Sequence, residues 1–450
     1  DTASYAFTRA SLNRGVLPQP DAVRVEELIN YFPYDYAPPE SRARPFATHV
    51  SLLPTPWNSA TRLLHIGIKG YALTPAIRPP ANLVFLVDTS GSMDAPDKLP
   101  LLINSLRLLL DTLKPEDTVA VVAYAGAVGT VLEPTPAAER GAIAAALEAL
   151  RAGGSTAGAE GIRQAYLLAE QNFVEGGVNR VILATDGDFN VGITDPDELE
   201  GYIARKRASG IFLSVLGFGM GNYNDALMQR LAQNGNGNAA YIDTLSEARK
   251  VLVEEATSTL FPIAKDVKIQ VEFNPALVSE YRLIGYETRM LAREDFRNDK
   301  VDAGEIGAGH TVTALYEITP VGSGAERIAP LRYGQNEEAE SGGRDDELAT
   351  VAIRYKLPDA ETSTEIARHM TGSDAVASPD GAPEEVRFAA AVAAFGQLLR
   401  GGRYTEGYGY DDVIALAQAA RGEDPFGYRA EFLSLVRLAK TAAAMEPLRR

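Results

Sequence analysis

The chain has 450 residues, of which 46% are apolar, so it can bury more than one hydrophobic core, and its length predicts about two to three domains. It has no cysteine, which excludes disulfides, thiolate catalysis and cysteine-ligated zinc, and no apolar stretch reaches the roughly 18 residues that a membrane-spanning helix needs. The formal net charge of −17 disfavours binding to nucleic acid or to an anionic membrane surface, and favours a cation as a small partner.

The first 80 residues are predicted to be a wrapping segment that cannot fold alone. Residues 23–32 place apolar side chains at positions 25, 28, 29 and 32, which is the spacing of one amphipathic helix. Residues 46–53 and 62–68 alternate apolar and polar side chains, as strands do. Because a two-stranded sheet is only marginally stable in water, these strands need partners from later in the chain.

Residues 81–260 alternate between strands and helices, which predicts a doubly wound, Rossmann-like α/β sheet. A hairpin around Gly126 and Gly129 is expected to add one antiparallel edge strand. The predicted strands are 82–87, 118–124, 129–133, 180–185, 211–216 and 239–242, and the predicted helices are 98–113, 138–150, 158–173, 197–208, 223–233 and 246–259.

After Pro262 the pattern returns to strands, separated by turns rich in Gly, Asp and Asn. We predict that these strands pair with 46–53 and 62–68 in one β-sandwich, into which the α/β domain is inserted. The later strands are 267–273, 281–284, 310–318 and 348–357, and helical spacing follows at 386–399, 412–420 and 428–444. The predicted domains are therefore a wrapping segment 1–80, an α/β domain 81–260, a β-sandwich 261–360 and a helical region 361–450.

A short apolar run at 82–87 ends in one carboxylate and three hydroxyls, with Asp88, Ser90 and Ser92 at alternate positions. These side chains are predicted to leave the C-terminal end of a buried strand, which is where ligands bind in open α/β sheets. Hydroxyl and carboxylate oxygens suit a small hard cation such as Mg²⁺ better than Zn²⁺. The spacing therefore predicts a metal site.

Two further loops contribute oxygen-bearing side chains that could converge on the same place. Thr156 follows a Gly-Gly-Ser step, and Asp186 lies in the step Thr185-Asp186-Gly187 that follows the apolar run 181–184. Each position also has a purely structural interpretation, because an Asp-Gly step is usually a turn and a Ser or Thr after a strand is usually a helix cap. The five residues together, in this order and at strand or loop ends, favour the metal site.

In these motifs, residues 81–260 closely resemble the von Willebrand factor type A domain with its metal-ion-dependent adhesion site. The Gly-rich step Leu216-Gly217-Phe218-Gly219 and the Asn224-Asp225 pair add to this resemblance. The resemblance implies that Ser90 and Ser92 bind the ion directly, that Thr156 does so when a partner is bound, and that Asp88 and Asp186 act mainly through waters. An acidic residue of a partner protein would complete the coordination, and the expected rim of the partner-binding face comprises Asp188, Asn222 and Tyr223.

The order of a flanking segment, an A domain and a C-terminal region of unassigned function resembles that of bacterial cell-envelope proteins, many of them lipoproteins. We therefore expect a protein-binding module in the periplasm or on the cell surface, with Mg²⁺, or Mn²⁺ or Ca²⁺ in its place. The chain begins with Asp rather than Met, as expected after removal of a secretory signal, and a lipid anchor upstream of Asp1 is compatible with this. Two alternatives stay open: a cytoplasmic assembly subunit of an ATP-driven, chelatase-like machine, and an ion that only staples the loops together.

Signatures of common catalytic sites are missing, and we predict that the protein is not an enzyme. The sequence lacks the phosphate-loop pattern G-x-x-x-x-G-K-[ST] and the nucleophile-elbow pattern G-x-S-x-G. The only carboxylates expected near the ion are its own ligands, which leaves no positioned base to activate a water. The four histidines are interpreted as packed or surface side chains: His49, His65, His310 and His369.

Overall fold

The computed structural model of the protein describes residues 2–73, 78–155, 158–187, 196–219, 225–287, 290–299, 303–328, 346–358, 360–405 and 407–445. The chain forms two compact units. The first comprises Asp1–Ala6 and Ala72–Pro262, and the second comprises Phe7–Tyr71 and Ile263–Arg450. Each unit is thus assembled from two separate stretches of sequence.

Residues 2–71 form two α-helices and two strands, one helix more than the sequence predicts. The helix that was not predicted is the first one, whose buried side chains include Ser4, Thr8, Arg9 and Ser11, so that no stripe of large apolar residues marks it. The second helix occupies the middle of the predicted segment 23–32. In chain order the elements are α1 (Ala3–Asn13), α2 (Val25–Ile29), β1 (Phe46–Thr55) and β2 (Asn58–Gly70).

The first unit contains a six-stranded mixed sheet with helices between its strands. Its elements are β3 (Ala81–Asp88), α3 (Leu99–Leu110), β4 (Thr118–Tyr124), β5 (Val128–Pro136), α4 (Arg140–Ala149), α5 (Gly158–Gln171), β6 (Val178–Thr185), α6 (Pro196–Ala208), β7 (Ile211–Phe218), α7 (Asp225–Asn234), β8 (Ala239–Ile242), α8 (Leu245–Arg249) and α9 (Ala256–Leu260). The sheet order is β5-β4-β3-β6-β7-β8, and β5 is antiparallel to β4 while the other neighbouring pairs are parallel. The predicted α/β sheet with an antiparallel edge strand is confirmed.

The central strand β3 is buried on both faces, which explains why its sequence is a continuous apolar run. Leu83, Phe85 and Val87 belong to the apolar cluster that includes the leucines of α3. Val84 and Leu86 belong to the cluster on the opposite face, with residues of α5. Fully burying one such side chain contributes roughly 1.5–3 kcal/mol to stability. Packing on both faces of the strand therefore fixes the position of its C-terminal residue, Asp88.

The last predicted helix of this unit, 246–259, is interrupted rather than continuous. Between α8 and α9 the chain makes one π-helical turn over Lys250–Glu254. The Glu255 amide donates to the Lys250 carbonyl at 2.9 Å, and the buried Lys250 ammonium pairs with the Glu255 carboxylate. The prediction of one regular helix was therefore wrong at this turn, whose wider spacing no apolar period reveals.

In the second unit, strands from before and after the α/β sequence share a sheet. The strand β2 pairs antiparallel with β1 on one side and with a late strand, β12, on the other. The later strands are β9 (Pro262–Phe273), β10 (Val278–Leu283), β11 (Gly304–Gly307), β12 (Thr311–Pro320), β13 (Glu347–Lys356) and β14 (Thr364–Thr371). Among the residues described, they and the two early strands form two four-stranded sheets, β1-β2-β12-β10 and β11-β9-β13-β14.

The strand β14 lies within 361–450, which the sequence predicts to be helical, so that prediction was wrong for its first residues. It is an edge strand whose only fully buried side chain is Met370, and all but one of its exposed positions carry charged or polar residues. Such a strand lacks the apolar alternation that identifies a half-buried strand. The second unit also continues past residue 360 without a break.

The C-terminal helical segment is confirmed, as α10 (Glu384–Leu399), α11 (Tyr410–Ala419) and α12 (Tyr428–Met445). Its centre is a cluster of phenylalanines with edge-to-face geometry. The ring centroids of Phe388 and Phe432 lie 5.5 Å apart, those of Phe395 and Phe432 lie 5.3 Å apart, and Phe32 from the N-terminal segment lies 4.9 Å from Phe388. In the ranges that the structure describes, no helix combines the length and apolarity needed to cross a bilayer.

Candidate metal and partner-binding site

The first loop of the candidate site begins where β3 ends. Asp88 is fully buried, and its Oδ1 accepts a hydrogen bond of 2.9 Å from the Ser90 amide. A short 3-10 turn, Gly91–Met93, then brings Ser92 back toward Ser90, so that their Oγ atoms lie 3.1 Å apart. The alternate spacing in the sequence therefore places two hydroxyls side by side, next to a buried carboxylate.

The second loop follows β6, the parallel neighbour of β3, and it brings Asp186 to the same edge of the sheet. Asp186 is 1% exposed. The two loops are linked through Thr185, whose Oγ1 donates to Asp88 Oδ2 at 2.9 Å and accepts a hydrogen bond of 3.1 Å from the Gly187 amide. Two buried carboxylates from separate strands thus share one corner of the domain.

The third loop reaches the first one through its glycines. The Gly153 amide donates to the Thr89 carbonyl at 2.8 Å, and the Gly91 amide donates to the Gly154 carbonyl at 3.0 Å. Gly154 has a φ of +87°, and a Cβ on it would lie 3.0 Å from the Gly126 amide nitrogen. The backbone two residues before the predicted ligand Thr156 is therefore held against the β3 loop.

The electrostatics of the corner favour a cation. Burial raises the pKa of Asp88 above its ordinary value, hydrogen bonds from Ser90 and Thr185 lower the pKa, and the nearby Asp186 carboxylate raises it again. Burying two carboxylates together is costly unless positive charge compensates them. The site thus needs a positive charge near Asp186 and the serine hydroxyls.

A lysine that the sequence analysis did not single out supplies part of this charge. Lys98, at the start of α3, donates from Nζ to Asp186 Oδ2 at 2.8 Å and to the Ser92 carbonyl at 2.9 Å. Its side chain is only 13% exposed. The sequence shows a basic residue ten positions after Asp88, at the N-terminal end of α3, where an ammonium opposes the helix dipole, but this alone does not mark a site residue.

Four of the five predicted metal ligands are brought together: Asp88, Ser90, Ser92 and Asp186. The fifth, Thr156, lies outside the described residues, as do the three predicted rim residues, Asp188, Asn222 and Tyr223. In the described ranges no group of three His, Asp or Glu side chains could hold a metal ion. An ion in this corner would therefore depend on the hydroxyl oxygens as well.

The donor set fits a hard divalent cation. Neighbouring ligands of an octahedral Mg²⁺, each about 2.1 Å from the ion, lie about 3 Å apart. The 3.1 Å between the Ser90 and Ser92 hydroxyl oxygens matches this spacing. The buried carboxylates of Asp88 and Asp186 supply negative charge beside them, whereas thiolate ligands are excluded because the chain has no cysteine.

The six-stranded α/β sheet of the first unit belongs to a von Willebrand factor type A domain, and the chain is a protein of that class. The family profile with that description matches residues 83–188, a profile described as von Willebrand factor matches residues 1–65, and one described as the C-terminal region of the uncharacterized protein YfbK matches residues 258–442. The chain belongs to the YfbK family. It is 47% identical over 445 residues to the uncharacterized protein YfbK of Escherichia coli K12, covering 98% of this chain and 76% of that protein.

Two further matches have lower sequence identity. Inter-alpha-trypsin inhibitor heavy chain H4 of Homo sapiens is 30% identical over 207 residues, which are 43% of this chain and 22% of that protein. A solved von Willebrand factor type A structure from Catenulispora acidiphila aligns over 90% of this chain and 92% of its own, with a TM-score of 0.47 and 15% identity.

Proposed function

We propose that the first unit is a metal-dependent protein-binding module. In this proposal Ser90, Ser92 and Thr156 bind a Mg²⁺ directly, Asp88 and Asp186 hold it through waters, and an Asp or Glu of a partner protein completes its coordination. The observation that carries the proposal is the pair of hydroxyls 3.1 Å apart beside two buried carboxylates. When bound, the ion would supply the positive charge that recognises a partner's carboxylate.

Mg²⁺ is proposed because the site offers only oxygen donors, and Mn²⁺ or Ca²⁺ could take its place on the same ligands. We propose a binding role rather than a catalytic one, because the nearby carboxylates are already engaged. Asp88 accepts from Ser90 and Thr185, and Asp186 accepts from Lys98. A metal-activated water would need a separate base to accept its proton.

The metal part of the proposal is tested by isothermal titration calorimetry with MgCl₂. Asp88→Asn keeps the shape of the buried side chain but removes its charge, and we expect it to abolish Mg²⁺ binding. Asp94→Ala is the matched control, because Asp94 is an exposed carboxylate in the same loop, and its binding should equal that of the wild type. Equal Mg²⁺ affinities of the wild type and Asp88→Asn would contradict the proposal.

The partner-binding part is tested by immobilising the chain and passing an envelope extract over it in Mg²⁺. A protein bound to the wild type should elute with EDTA. The immobilised Asp94→Ala variant should bind the same protein, whereas the immobilised Asp88→Asn variant should not. Binding should also weaken when the Asp or Glu residues of the captured protein at the contact are replaced by Asn or Gln. Capture that persists both in EDTA and on Asp88→Asn would argue against a metal-mediated contact.

We also propose that the two four-stranded sheets of the second unit face each other as a β-sandwich, with the A domain inserted into it. Aromatic contacts between the sheets support this: the rings of Phe46 in β1 and Tyr355 in β13 lie 5.1 Å apart, and those of Phe273 in β9 and Tyr316 in β12 lie 5.5 Å apart. A chain comprising residues 7–71 joined by a short linker to 263–445 should then fold alone. A loss of native circular dichroism in that chain would count against the insertion.

An exported location in the periplasm or on the cell surface is proposed as well, and the complete lack of cysteine in 450 residues is compatible with it. The competing proposal is a cytoplasmic subunit of an ATP-driven, chelatase-like assembly. Cell fractionation with an antibody against the chain distinguishes them, because recovery with the cytoplasmic fraction together with an ATPase would favour the second.

A further inference from the structure

Lys98 connects the two metal-site loops in a way that the sequence motif does not predict. Its Nζ bridges the Ser92 carbonyl of the first loop, at 2.9 Å, and the Asp186 carboxylate of the second, at 2.8 Å. We propose that Lys98 is an internal cation that occupies Asp186 in the metal-free state and competes with the divalent ion for it. This inference rests on the metal-binding function proposed above.

The lysine is held in place by its packing as well as by its hydrogen bonds. Its aliphatic stem lies over Gly219, at the end of β7, where an added Cβ would lie 2.3 Å from the Lys98 Cε. Gly219 has a φ of +70°, a conformation that favours glycine. The ammonium is thus positioned by the ends of three neighbouring parallel strands, β3, β6 and β7. A loosely held surface side chain would not make these contacts.

Charge explains what the lysine does in the metal-free site. Asp88 and Asp186 are 0% and 1% exposed, so two negative charges meet where water screens them poorly. One ammonium compensates one of them. We therefore expect the loops to keep their arrangement without a metal, and the site to be preformed when the ion arrives.

The same charge opposes the ion. A divalent cation bound by Ser90 and Ser92, and held by Asp186 through a water, would lie close to the Lys98 ammonium that donates to Asp186, and the two cations repel each other in a poorly solvated corner. Binding must then either displace the ammonium from Asp186 or proceed against its field. The lysine thereby lowers the affinity for the metal, which sets the ion concentration at which partner binding begins.

The test compares Lys98→Met with Lys98→Arg. Methionine keeps an unbranched stem over Gly219 but has no charge, and we expect it to bind Mg²⁺ about tenfold more tightly by calorimetry. In EDTA its thermal midpoint should fall below that of the wild type, because the buried Asp186 carboxylate loses its ammonium partner. Arginine keeps the charge and should retain wild-type affinity. Lys206→Met, a change at a salt bridge in α6, controls for a general loss of positive charge.

The outcomes separate this inference from the proposed function. Tighter Mg²⁺ binding by Lys98→Met, with a lower midpoint in EDTA, supports it. If the wild type binds Mg²⁺ and Lys98→Met binds with equal or weaker affinity, the internal-cation role is wrong while the metal site stands. If neither protein binds Mg²⁺ although both show native circular dichroism, both proposals fail. Should Lys98→Met not fold, Lys98→Gln replaces it in the same comparison.

Discussion

The Thr185 hydroxyl donates a hydrogen bond of 2.9 Å to Asp88 Oδ2, so the residue that ends β6 holds the carboxylate that ends β3. The two residues are 97 positions apart in the sequence, and they meet because parallel neighbouring strands end at the same edge of the sheet. The same hydroxyl accepts from the Gly187 amide. One side chain thus fixes the relative position of two loops of the candidate site.

Thr185→Val should therefore weaken the site without changing the fold. Valine has nearly the same shape, but it leaves the buried Asp88 carboxylate without one donor and the Gly187 amide without its acceptor. Unsatisfied buried groups of this kind cost about 1–3 kcal/mol. We expect urea unfolding in EDTA to show that loss and calorimetry to show weaker Mg²⁺ binding. Thr135→Val, which removes an exposed hydrogen bond, is the control, and equal losses in the two variants would contradict the linking role.

Gly154 gives a second prediction about the loops. Gly154→Ala requires a non-glycine residue at φ +87° and places a Cβ 3.0 Å from the Gly126 amide nitrogen. The left-handed conformation alone costs about 1–2 kcal/mol. We expect the thermal midpoint to fall and Mg²⁺ affinity to drop, because the loop that carries Thr156 is displaced from the β3 loop.

Its neighbour provides the control. Gly153 has no positive φ, and nothing lies within 4 Å of the Cβ that alanine would add. Gly153→Ala should therefore behave like the wild type in both measurements. If Gly153→Ala and Gly154→Ala bind Mg²⁺ equally well, the backbone of this loop does not position a ligand.

How much of the site the sequence predicts depends on how local its signals are. Asp88, Ser90 and Ser92 follow a strand buried on both faces, so one apolar run gives both the element and the place where it ends. Thr185 and Lys98 act only through contacts between β3, β6 and α3. A single lysine at a helix start is normally a solvated side chain, and no spacing rule identifies this one as part of the site.

The fold shows the same division. The α/β unit was predictable because apolar residues recur with the helical period in its helices and form short continuous runs in its buried strands. α1 and β14 were not, because the first buries polar side chains and the second exposes most of its residues. The pairing of β2 with β12 joins residues about 250 positions apart. The sequence showed that β2 needed a partner but could not select which late strand it would be.

His65 gives a prediction about pH in the second unit. Burial and the nearby His49 lower the pKa of His65 to about 3, and its Nε2 lies 2.8 Å from the Tyr36 hydroxyl. The unfolded chain, in which the pKa is about 6.5, therefore binds this proton first as the pH falls. The free energy of unfolding should decrease as the pH drops from about 6.5 toward about 3, by up to about 1.4 kcal/mol per pH unit from this residue.

His65→Gln should flatten that dependence, because glutamine does not titrate. Trp57 is the only tryptophan of the chain and is buried in the same unit, so its fluorescence can follow urea unfolding at each pH. His369→Gln removes a histidine that is exposed on β14, and it should leave the slope unchanged. Equal slopes for the wild type and His65→Gln would show that the buried imidazole is not the source of acid sensitivity.

Arg282 and Glu317 form a partly buried ion pair whose loss should be costly. The Glu317 side chain is 4% exposed and also accepts hydrogen bonds from Trp57 Nε1 at 3.1 Å and Thr61 Oγ1 at 2.9 Å. Glu317→Gln removes the negative charge but leaves the half-buried guanidinium of Arg282 in place. Breaking one partner of such a pair typically costs about 3–5 kcal/mol.

Urea unfolding followed by Trp57 fluorescence should show this loss as a lower midpoint with an unchanged slope. Asp411→Asn is the matched control, because it breaks an exposed pair with Lys440 in the same unit, with side chains 74% and 52% exposed. Exposed pairs contribute at most about 1 kcal/mol, since water and salt screen them. If Glu317→Gln lost no more stability than Asp411→Asn, a group other than Glu317 would have to stabilise the Arg282 charge. The ring of Tyr404, whose centroid lies 4.1 Å from the guanidinium carbon, would then be the first side chain to replace by mutation.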